Sequence, residues 1–253
     1  SVDAKVTPQD IERVAGDLGV MHHAQPRVVS LTQPTELGTL YTAAEIEQLC
    51  ICAHEHGLLV HMDGARIANA TAALGGISSV REFTVDAGVD VLTFGGTKNG
   101  LMYGEAVLYF SQGALRPQTY KDFSLENAQR ALRYAPYARK QTTQLPSKMR
   151  FVSAQFAAVL NNDLWVQLGA SANEAAASLF NAVHSIPTLE LPDAPAVNSL
   201  YPTISPAHAE QLREVSFFWD WEPARHRVRW MTSWDTELSD VDAFAEAVYR
   251  IVT

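Results

Sequence analysis

One lysine and one aspartate follow two apolar runs of the chain and could together carry out carbonyl chemistry. Asp63 ends one run, within the segment 61–66 (HMDGAR), and Lys98 follows the run 89–94, within the segment 95–100 (GGTKNG). Glycine-bounded apolar runs of this length predict short buried strands. The stretch between them is long enough for a crossover, so the strands are expected to be parallel neighbours. Their carboxyl ends then share the ligand-binding edge of a sheet.

An amine and a carboxylate at one sheet edge suit the cofactor pyridoxal 5'-phosphate (PLP). A lysine amine forms a Schiff base with an aldehyde, and a carboxylate facing the pyridine nitrogen keeps the ring protonated and electron-accepting. The glycines beside Lys98 are expected to let a bulky cofactor approach the backbone. Each residue alone has an ordinary explanation, because Asp–Gly pairs occupy turns and most lysines are solvated. The pair of Asp63 and Lys98 favours the PLP site.

Four further side chains are candidates for the same site. Thr97 is expected either to donate to the cofactor phosphate or to serve as a plain turn residue. Arg229 lies inside a strand pattern, where a guanidinium either snorkels or binds an anion, and its fork suits a carboxylate. Arg66 follows Asp63 by three residues, and from the sequence alone it is a surface charge, a partner of Asp63 or a further cation of the site. Gln33 ends the first predicted strand and is placed in the substrate region.

A metal site is the alternative from a different class of chemistry. His61 and Asp63 have the spacing His-x-Asp and share one face of a strand, since side chains alternate along it. A metal-dependent hydrolase using these two residues is therefore a second hypothesis. His54 and His56 lie nearby in sequence, but they are expected to form a polar pair on a solvated helix end.

Composition limits the classes of partner. The chain has 253 residues, of which 47% are hydrophobic, enough for the core of one or two domains. The net charge of −9 and the pI of about 5.3 argue against nucleic acid and anionic membranes as partners. No uniformly apolar window is long enough to cross a bilayer. Cys50 and Cys52 are expected to be buried free thiols, which fits a reducing cytoplasm.

The first half of the chain predicts an α/β domain. Strands and helices alternate, which favours a parallel sheet. Thr42 opens one helix with a capping box, and further helices are predicted over 66–74 and 79–87. The segment 105–110 predicts a strand that returns across the sheet. Residues 1–120 are therefore assigned to one large domain.

The second half predicts a connection followed by a smaller unit. Residues 121–145 are polar, contain prolines and are interpreted as an irregular connection. Residues 146–253 are assigned to two long alanine- and leucine-rich helices and a small α+β domain. The last helix is expected to begin with Ser239 as its cap. Three short strands are predicted in this unit, over 198–201, 217–219 and 227–231.

Several segments resemble the low-specificity threonine aldolases, a family of PLP-dependent lyases. They are 30–39 (SLTQPTELGT), 61–66, 95–100 and 228–232 (VRWMT), and the similarity covers essentially the whole chain. The resemblance implies a PLP-dependent fold-type-I (aspartate aminotransferase-like) large domain. It implies cleavage of the Cα–Cβ bond of β-hydroxy-α-amino acids, such as threonine to glycine and acetaldehyde. It also implies a small-molecule amino-acid substrate and a cytoplasmic homo-oligomer, a dimer or tetramer.

The resemblance assigns roles to individual residues. It implies that Lys98 carries the cofactor, that Asp63 holds the pyridinium, that Arg229 binds the substrate α-carboxylate, and that Arg66 lies by the ring hydroxyl and this carboxylate. It also implies a preceding segment with a phosphate-binding glycine loop and a ring-stacking side chain, which is not found here. The large domain is thus expected to be N-terminally incomplete, and the chain to bind PLP weakly. The alternatives are another fold-type-I β-eliminating lyase or an inactive remnant.

Overall fold

A four-stranded sheet organises the first half of the chain in the computed structural model, which describes residues 2–110 and 118–253. The strands lie in the order β1, β2, β3, β4. Their bounds are Val28–Thr32, Leu59–Gly64, Val91–Gly95 and Glu105–Tyr109. The first three run parallel, and β4 returns antiparallel to β3. The predicted parallel neighbours β2 and β3 are therefore confirmed, and so is the returning strand.

Three helices accompany this sheet. They are α1 (Pro8–Ala15), α2 (Ala43–Glu55) and α3 (Ile67–Ala73). The capping box of α2 is formed as predicted, because Glu45 N–H donates to the Thr42 hydroxyl and the Glu45 carboxylate accepts from Thr42 N–H. Helix α2 packs against β2 and buries Ile46 and Leu49.

The two faces of the sheet differ in their surroundings. On β2, Val60 and Met62 are completely buried in the core, whereas His61 and Asp63 are half-buried on the opposite face. Asp63 is aligned with Thr32 on one neighbouring strand and Thr93 on the other. The face that carries Asp63 is thus the more open one and can admit a ligand at the carboxyl ends of the strands.

The second half of the chain builds a helical layer and a small sheet. Its later helices are α5 (Arg150–Leu160), α6 (Leu164–Val183), α7 (Pro206–Arg213) and α8 (Leu238–Val252). Its strands are β5 (Ser199–Leu200), β6 (Trp219–Glu222) and β7 (Arg227–Met231). Strand β7 lies between β5 and β6, and both pairings are antiparallel. This unit has its own core, in which Trp230 and Phe218 pack edge to face.

Helix α6 joins the two halves through α3. A Cβ on Gly169 would lie 2.5 Å from the carbonyl carbon of Ala68, so the helix backbones are in direct contact. Beside this contact, Asn69 Nδ2 donates to Asn173 Oδ1, and Asn173 Nδ2 donates to the backbone oxygen of Asn69, both at 3.0 Å. The start of α3 is therefore fixed relative to the C-terminal unit.

The predicted irregular connection is wrong. Residues Gln118–Gln141 form a 24-residue helix, α4, with Pro136 inside it. The segment is rich in alanine, leucine, arginine, glutamine and tyrosine, and these helix-compatible residues outweigh a single proline. The predicted boundary at 121–145 therefore falls within and just beyond a helix, while residues 111–117 lie outside the described part.

Two smaller helix predictions are also wrong. The helix predicted over 79–87 is a series of turns after a short 3-10 helix, Ile77–Ser79. β-branched residues are frequent there, and they restrict helix formation. The last helix is capped two residues earlier than expected, because Glu237 and Asp240 form a reciprocal capping box and Ser239 lies inside the helix.

Candidate active site

The lysine loop begins where β3 ends at Gly95. Thr97–Asn99 form one turn of 3-10 helix, which places Lys98 exposed beyond the strand end. Gly100 closes the turn with φ of 104°, a left-handed conformation that favours glycine. Among the residues that the structure describes, the Lys98 amine has no hydrogen bond or ion pair. The amine is accordingly available to react with an aldehyde.

The glycines of this loop pack against the protein itself. A Cβ on Gly95 would lie 2.6 Å from Ala65 Cα, and one on Gly96 would lie 2.5 Å from the carbonyl oxygen of Gly104. The predicted reason for these two glycines, room for a cofactor beside the backbone, is therefore wrong. Gly95 brings the end of β3 against the loop that follows β2, and Gly96 brings the lysine loop against the backbone just before β4.

Asn99 holds these two loops together and was missed by the sequence analysis. Its side chain is 1% exposed. Its Oδ1 accepts from Ala68 N–H at 3.1 Å, and its Nδ2 donates to the backbone oxygens of Ala65 and Gly95. A buried amide with all three bonds made fixes both loops. The sequence gives only a weak signal, an asparagine between a lysine and a glycine.

Asp63 lies at the carboxyl end of β2, on the open face of the sheet. Its Oδ1 accepts from Ala65 N–H at 2.9 Å, and its backbone oxygen accepts from Gln33 N–H at 3.0 Å. Within the described residues, Oδ2 has no hydrogen-bond partner. One oxygen therefore anchors the carboxylate to the loop, and the other is free to accept from a ligand.

A second carboxyl group, Glu105, lies beside the lysine loop. It begins β4 and pairs with Gly95. The pKa of the Glu105 carboxyl is raised. Partial desolvation raises it more than hydrogen bonds from Thr97 and the charge of Lys98 lower it. The Thr97 hydroxyl also accepts from Gly104 N–H at 3.1 Å. Thr97 is thus bound within its own loop, which agrees with the turn alternative for this residue. Glu105 was also missed by the sequence analysis.

The two candidate arginines meet at a third residue, Glu36. Arg229 on β7 donates from Nη1 to Glu36 Oε2 at 3.1 Å, and Arg66 Nη1 lies 3.8 Å from Glu36 Oε1. The guanidinium of Arg229 also lies over the ring of Trp221, with 5.2 Å to the centroid. The structure thus brings Arg66 and Arg229 to one point. We call this pair the arginine clamp.

Gln33 has a different set of contacts from the one expected. Its side chain is completely buried, with Nε2 donating to the Tyr41 backbone oxygen at 2.9 Å and Oε1 accepting from Tyr41 N–H at 3.1 Å. Both ends of the amide are therefore used to close the loop 33–41. The side chain shapes the loop that carries Glu36, rather than facing a ligand.

The histidines are committed to protein contacts. His61 Nδ1 lies 2.8 Å from the Ser30 hydroxyl, and Nε2 lies 3.1 Å from the Thr93 hydroxyl. Burial lowers the pKa of His61. The expected solvated pair is wrong for His54, which is 4% exposed and bonded to Asp90 at 2.9 Å. In the described ranges, no three His, Cys, Asp or Glu side chains are grouped to hold a metal ion.

Comparison with known proteins shows the family to which this chain belongs. The chain belongs to the beta-eliminating lyase family, whose profile matches residues 1–205. A curated relative named low specificity L-threonine aldolase, from Pseudomonas sp. (strain NCIMB 10558), is 36% identical over 253 residues, which is all of this chain and 68% of the relative. One of the same name from Pseudomonas aeruginosa is 37% identical over 248 residues, covering 98% of this chain and 66% of the relative. The chain therefore spans about two thirds of the length of these relatives.

Solved structures agree with this assignment. A threonine aldolase from Leishmania major matches the whole chain and 69% of its own length, with a TM-score of 0.82 and 27% identity. A putative L-allo-threonine aldolase from Listeria monocytogenes, at 15% identity and a TM-score of 0.63, shares the fold. The predicted family and the predicted fold-type-I α/β architecture are confirmed. No helix in the described part of the chain is both long and apolar enough to span a membrane.

Proposed function

We propose that this chain carries the PLP site of a lyase that cleaves the Cα–Cβ bond of β-hydroxy-α-amino acids such as threonine, releasing glycine and an aldehyde. The observation that carries the proposal is the arginine clamp, whose Arg66 follows the same strand end as Asp63. In it, two guanidiniums, from the large domain and the small sheet, converge on one carboxylate oxygen pair. An amino-acid substrate offers that same group.

The donor set of the site fits PLP. Lys98 offers an unpaired amine among the described residues, Asp63 offers a free carboxylate oxygen, and Arg66 offers a largely buried cation in the loop after β2. In this proposal Lys98 would hold the aldehyde group and Asp63 would face the pyridine nitrogen, whereas Thr97 keeps its role in the turn. PLP, when bound, supplies the electron sink for the electron pair left on Cα.

The chain's own residues orient the substrate. The fork of Arg229 binds the α-carboxylate, and its cation–π contact with Trp221 limits the directions in which the guanidinium can point. Arg66 approaches the same carboxylate from the side of Asp63. Holding this group fixes the bond to be cleaved relative to the ring, which is the contribution expected of positioning residues. The negative charge of Asp63 would keep the ring nitrogen of bound PLP protonated.

We extend the proposal to a cytoplasmic homo-oligomer, a dimer or tetramer. Cys50 and Cys52 are both buried and reduced, which fits a reducing compartment. The open face of the four-stranded sheet, with Ser30 exposed and Asp63 half-buried, is a surface that further protein could cover.

The decisive experiment combines attachment and turnover. The protein is loaded with PLP, reduced with borohydride and digested, and the modified lysine is located by mass spectrometry. In parallel, acetaldehyde release from L-threonine is followed with and without a chelator. Modification at Lys98 with chelator-resistant turnover is expected. Modification at another lysine, or turnover that the chelator removes, would contradict the proposal and favour the metal alternative.

A further inference from the structure

The carboxylate of Glu36 lies where the proposed function puts the substrate carboxylate. Its Oε2 accepts from Arg229 Nη1 at 3.1 Å, and its Oε1 lies 3.8 Å from Arg66 Nη1. One oxygen for each guanidinium is how two arginines can share a single carboxylate. The arginine clamp is thus filled by an acidic side chain of the same protein.

The backbone of Glu36 is fixed, whereas its side chain is free to move. The turn around it is closed by Gly38 N–H, which donates to the Thr35 oxygen at 2.9 Å, and by Thr39 N–H, which donates to the Thr35 hydroxyl at 3.2 Å. The Tyr201 hydroxyl donates to the backbone oxygen of Glu36. By contrast, the Glu36 side chain is 54% exposed. Its carboxylate can therefore turn to water without moving the loop.

The two arginines remain in place when this happens. Their side chains are only 13% exposed in Arg66 and 19% exposed in Arg229, and Trp221 covers the guanidinium of Arg229. A bidentate contact through both terminal nitrogens of Arg229 would use Nη1, the nitrogen that donates to Glu36. A second carboxylate beside the first would be repelled by its like charge. Occupation of the clamp by Glu36 therefore weakens the binding of an external carboxylate.

We propose that Glu36 competes with the substrate carboxylate for the arginine clamp and thereby sets the substrate affinity of the site. This inference rests on the proposed role of Arg66 and Arg229 in carboxylate binding. An ion pair with a half-exposed partner is weak, so the competition is moderate. Removing the charge of Glu36 should lower the KM for L-threonine by roughly two- to fivefold, with little change in kcat.

The test uses Glu36→Gln and Glu36→Ala in the PLP-loaded protein. The KM and kcat for L-threonine are measured, and the Kd for acetate is measured separately by tryptophan fluorescence, since Trp221 reports on Arg229. Glu222→Gln is the matched control, because Glu222 also lies beside two arginines, Arg225 at 3.7 Å and Arg227 at 3.5 Å. Both Glu36 variants should show a lower KM and a lower acetate Kd, and the control should show neither.

Two results would overturn the proposal. An unchanged KM and acetate Kd would mean that Glu36 does not occupy the clamp in solution. A higher KM in both variants, with unchanged thermal unfolding, would mean that Glu36 orients the arginines for the substrate. Failure of the proposed function is distinguishable, because the unmutated protein would then release no acetaldehyde. The acetate titration would still decide whether Glu36 excludes an external carboxylate.

Discussion

Asn99 Oδ1 accepts a hydrogen bond from Ala68 N–H at 3.1 Å, and this contact ties the lysine loop to the start of α3. Lys98 is the residue before Asn99, and Arg66 is the N-cap of α3. The amine and one arm of the arginine clamp are therefore placed relative to each other through one buried amide. The chemistry of the site depends on a residue that need not touch any ligand.

Replacing Asn99 with alanine should reduce both stability and cofactor binding. The change leaves buried backbone groups of Ala65, Ala68 and Gly95 without their partner, and each such loss costs about 1–3 kcal/mol. Urea unfolding measures the free energy of unfolding, and an absorbance titration measures PLP binding. Asn181→Ala, at an exposed position on α6, is the control. Equal stability of the two variants would show that the Asn99 amide does not hold the loops together.

Lys98→Ala should abolish threonine cleavage and the borohydride-reducible attachment of PLP, while the unfolding transition stays close to that of the unmutated protein. The side chain is exposed, and its amine makes no hydrogen bond or ion pair with the described residues. Acetaldehyde release measures cleavage, mass spectrometry measures PLP attachment, and circular dichroism measures unfolding. Lys140→Ala, an exposed lysine on α4, should retain full activity. A reducible adduct on another lysine in the Lys98 variant would contradict the assignment.

Asp63→Asn should retain the loop geometry and lose most of the rate. The amide oxygen can still accept from Ala65 N–H, but the neutral group no longer holds the ring nitrogen protonated. Losses of electrostatic stabilisation in other enzymes amount to about 10²–10³ in rate. The measurement is kcat at saturating PLP, with Asp86→Asn as the control at a surface ion pair. Turnover near that of the unmutated protein would rule out the electron-sink role of Asp63.

Arg229→Lys should raise the KM for L-threonine by roughly tenfold or more, because an ammonium cannot make a bidentate contact with a carboxylate. It also loses the guanidinium stacked on Trp221. The control is Arg227→Lys, two residues earlier on β7, whose partner is Glu222. Steady-state kinetics should show a raised KM for Arg229→Lys and an unchanged KM for Arg227→Lys. Equal KM values would place the substrate carboxylate elsewhere.

The stability of the protein should depend on pH through His61. Burial lowers the pKa of His61 below its ordinary value of 6.5, so the folded protein binds fewer protons than the unfolded chain. The stability that comes from a neutral His61 is complete above the ordinary pKa, and it is lost as the pH falls through the lowered pKa of the folded protein. Between about pH 7 and about pH 5, His61→Gln should therefore lose less stability than the unmutated protein. Urea unfolding at both pH values tests this, with the exposed His56→Gln as the control.

The sequence predicted the parts of the site that local patterns specify. Strand ends followed by glycine place Asp63 and Lys98, and a charged residue within a strand pattern identifies Arg229. The contacts of Glu36 and Asn99 depend on loops that meet only in three dimensions, so no spacing in the sequence reveals them. The prediction that Gln33 lies in the substrate region was wrong for the same reason, because its partner Tyr41 lies across a closed loop. Helix α4 was missed because a proline and polar composition obscured its high helix propensity.

The backbone contact between Gly169 and Ala68 has a consequence for the evolution of the chain. Any side chain at position 169 would push α6 away from α3, since its Cβ would lie 2.5–2.8 Å from backbone atoms of Ala68 and Asn69. In a saturation library selected for activity, we expect position 169 to accept glycine and little else. The neighbouring exposed positions of α6 should accept many residues. A position far along the chain from every reacting group is then restricted nearly as strictly as the reacting groups themselves.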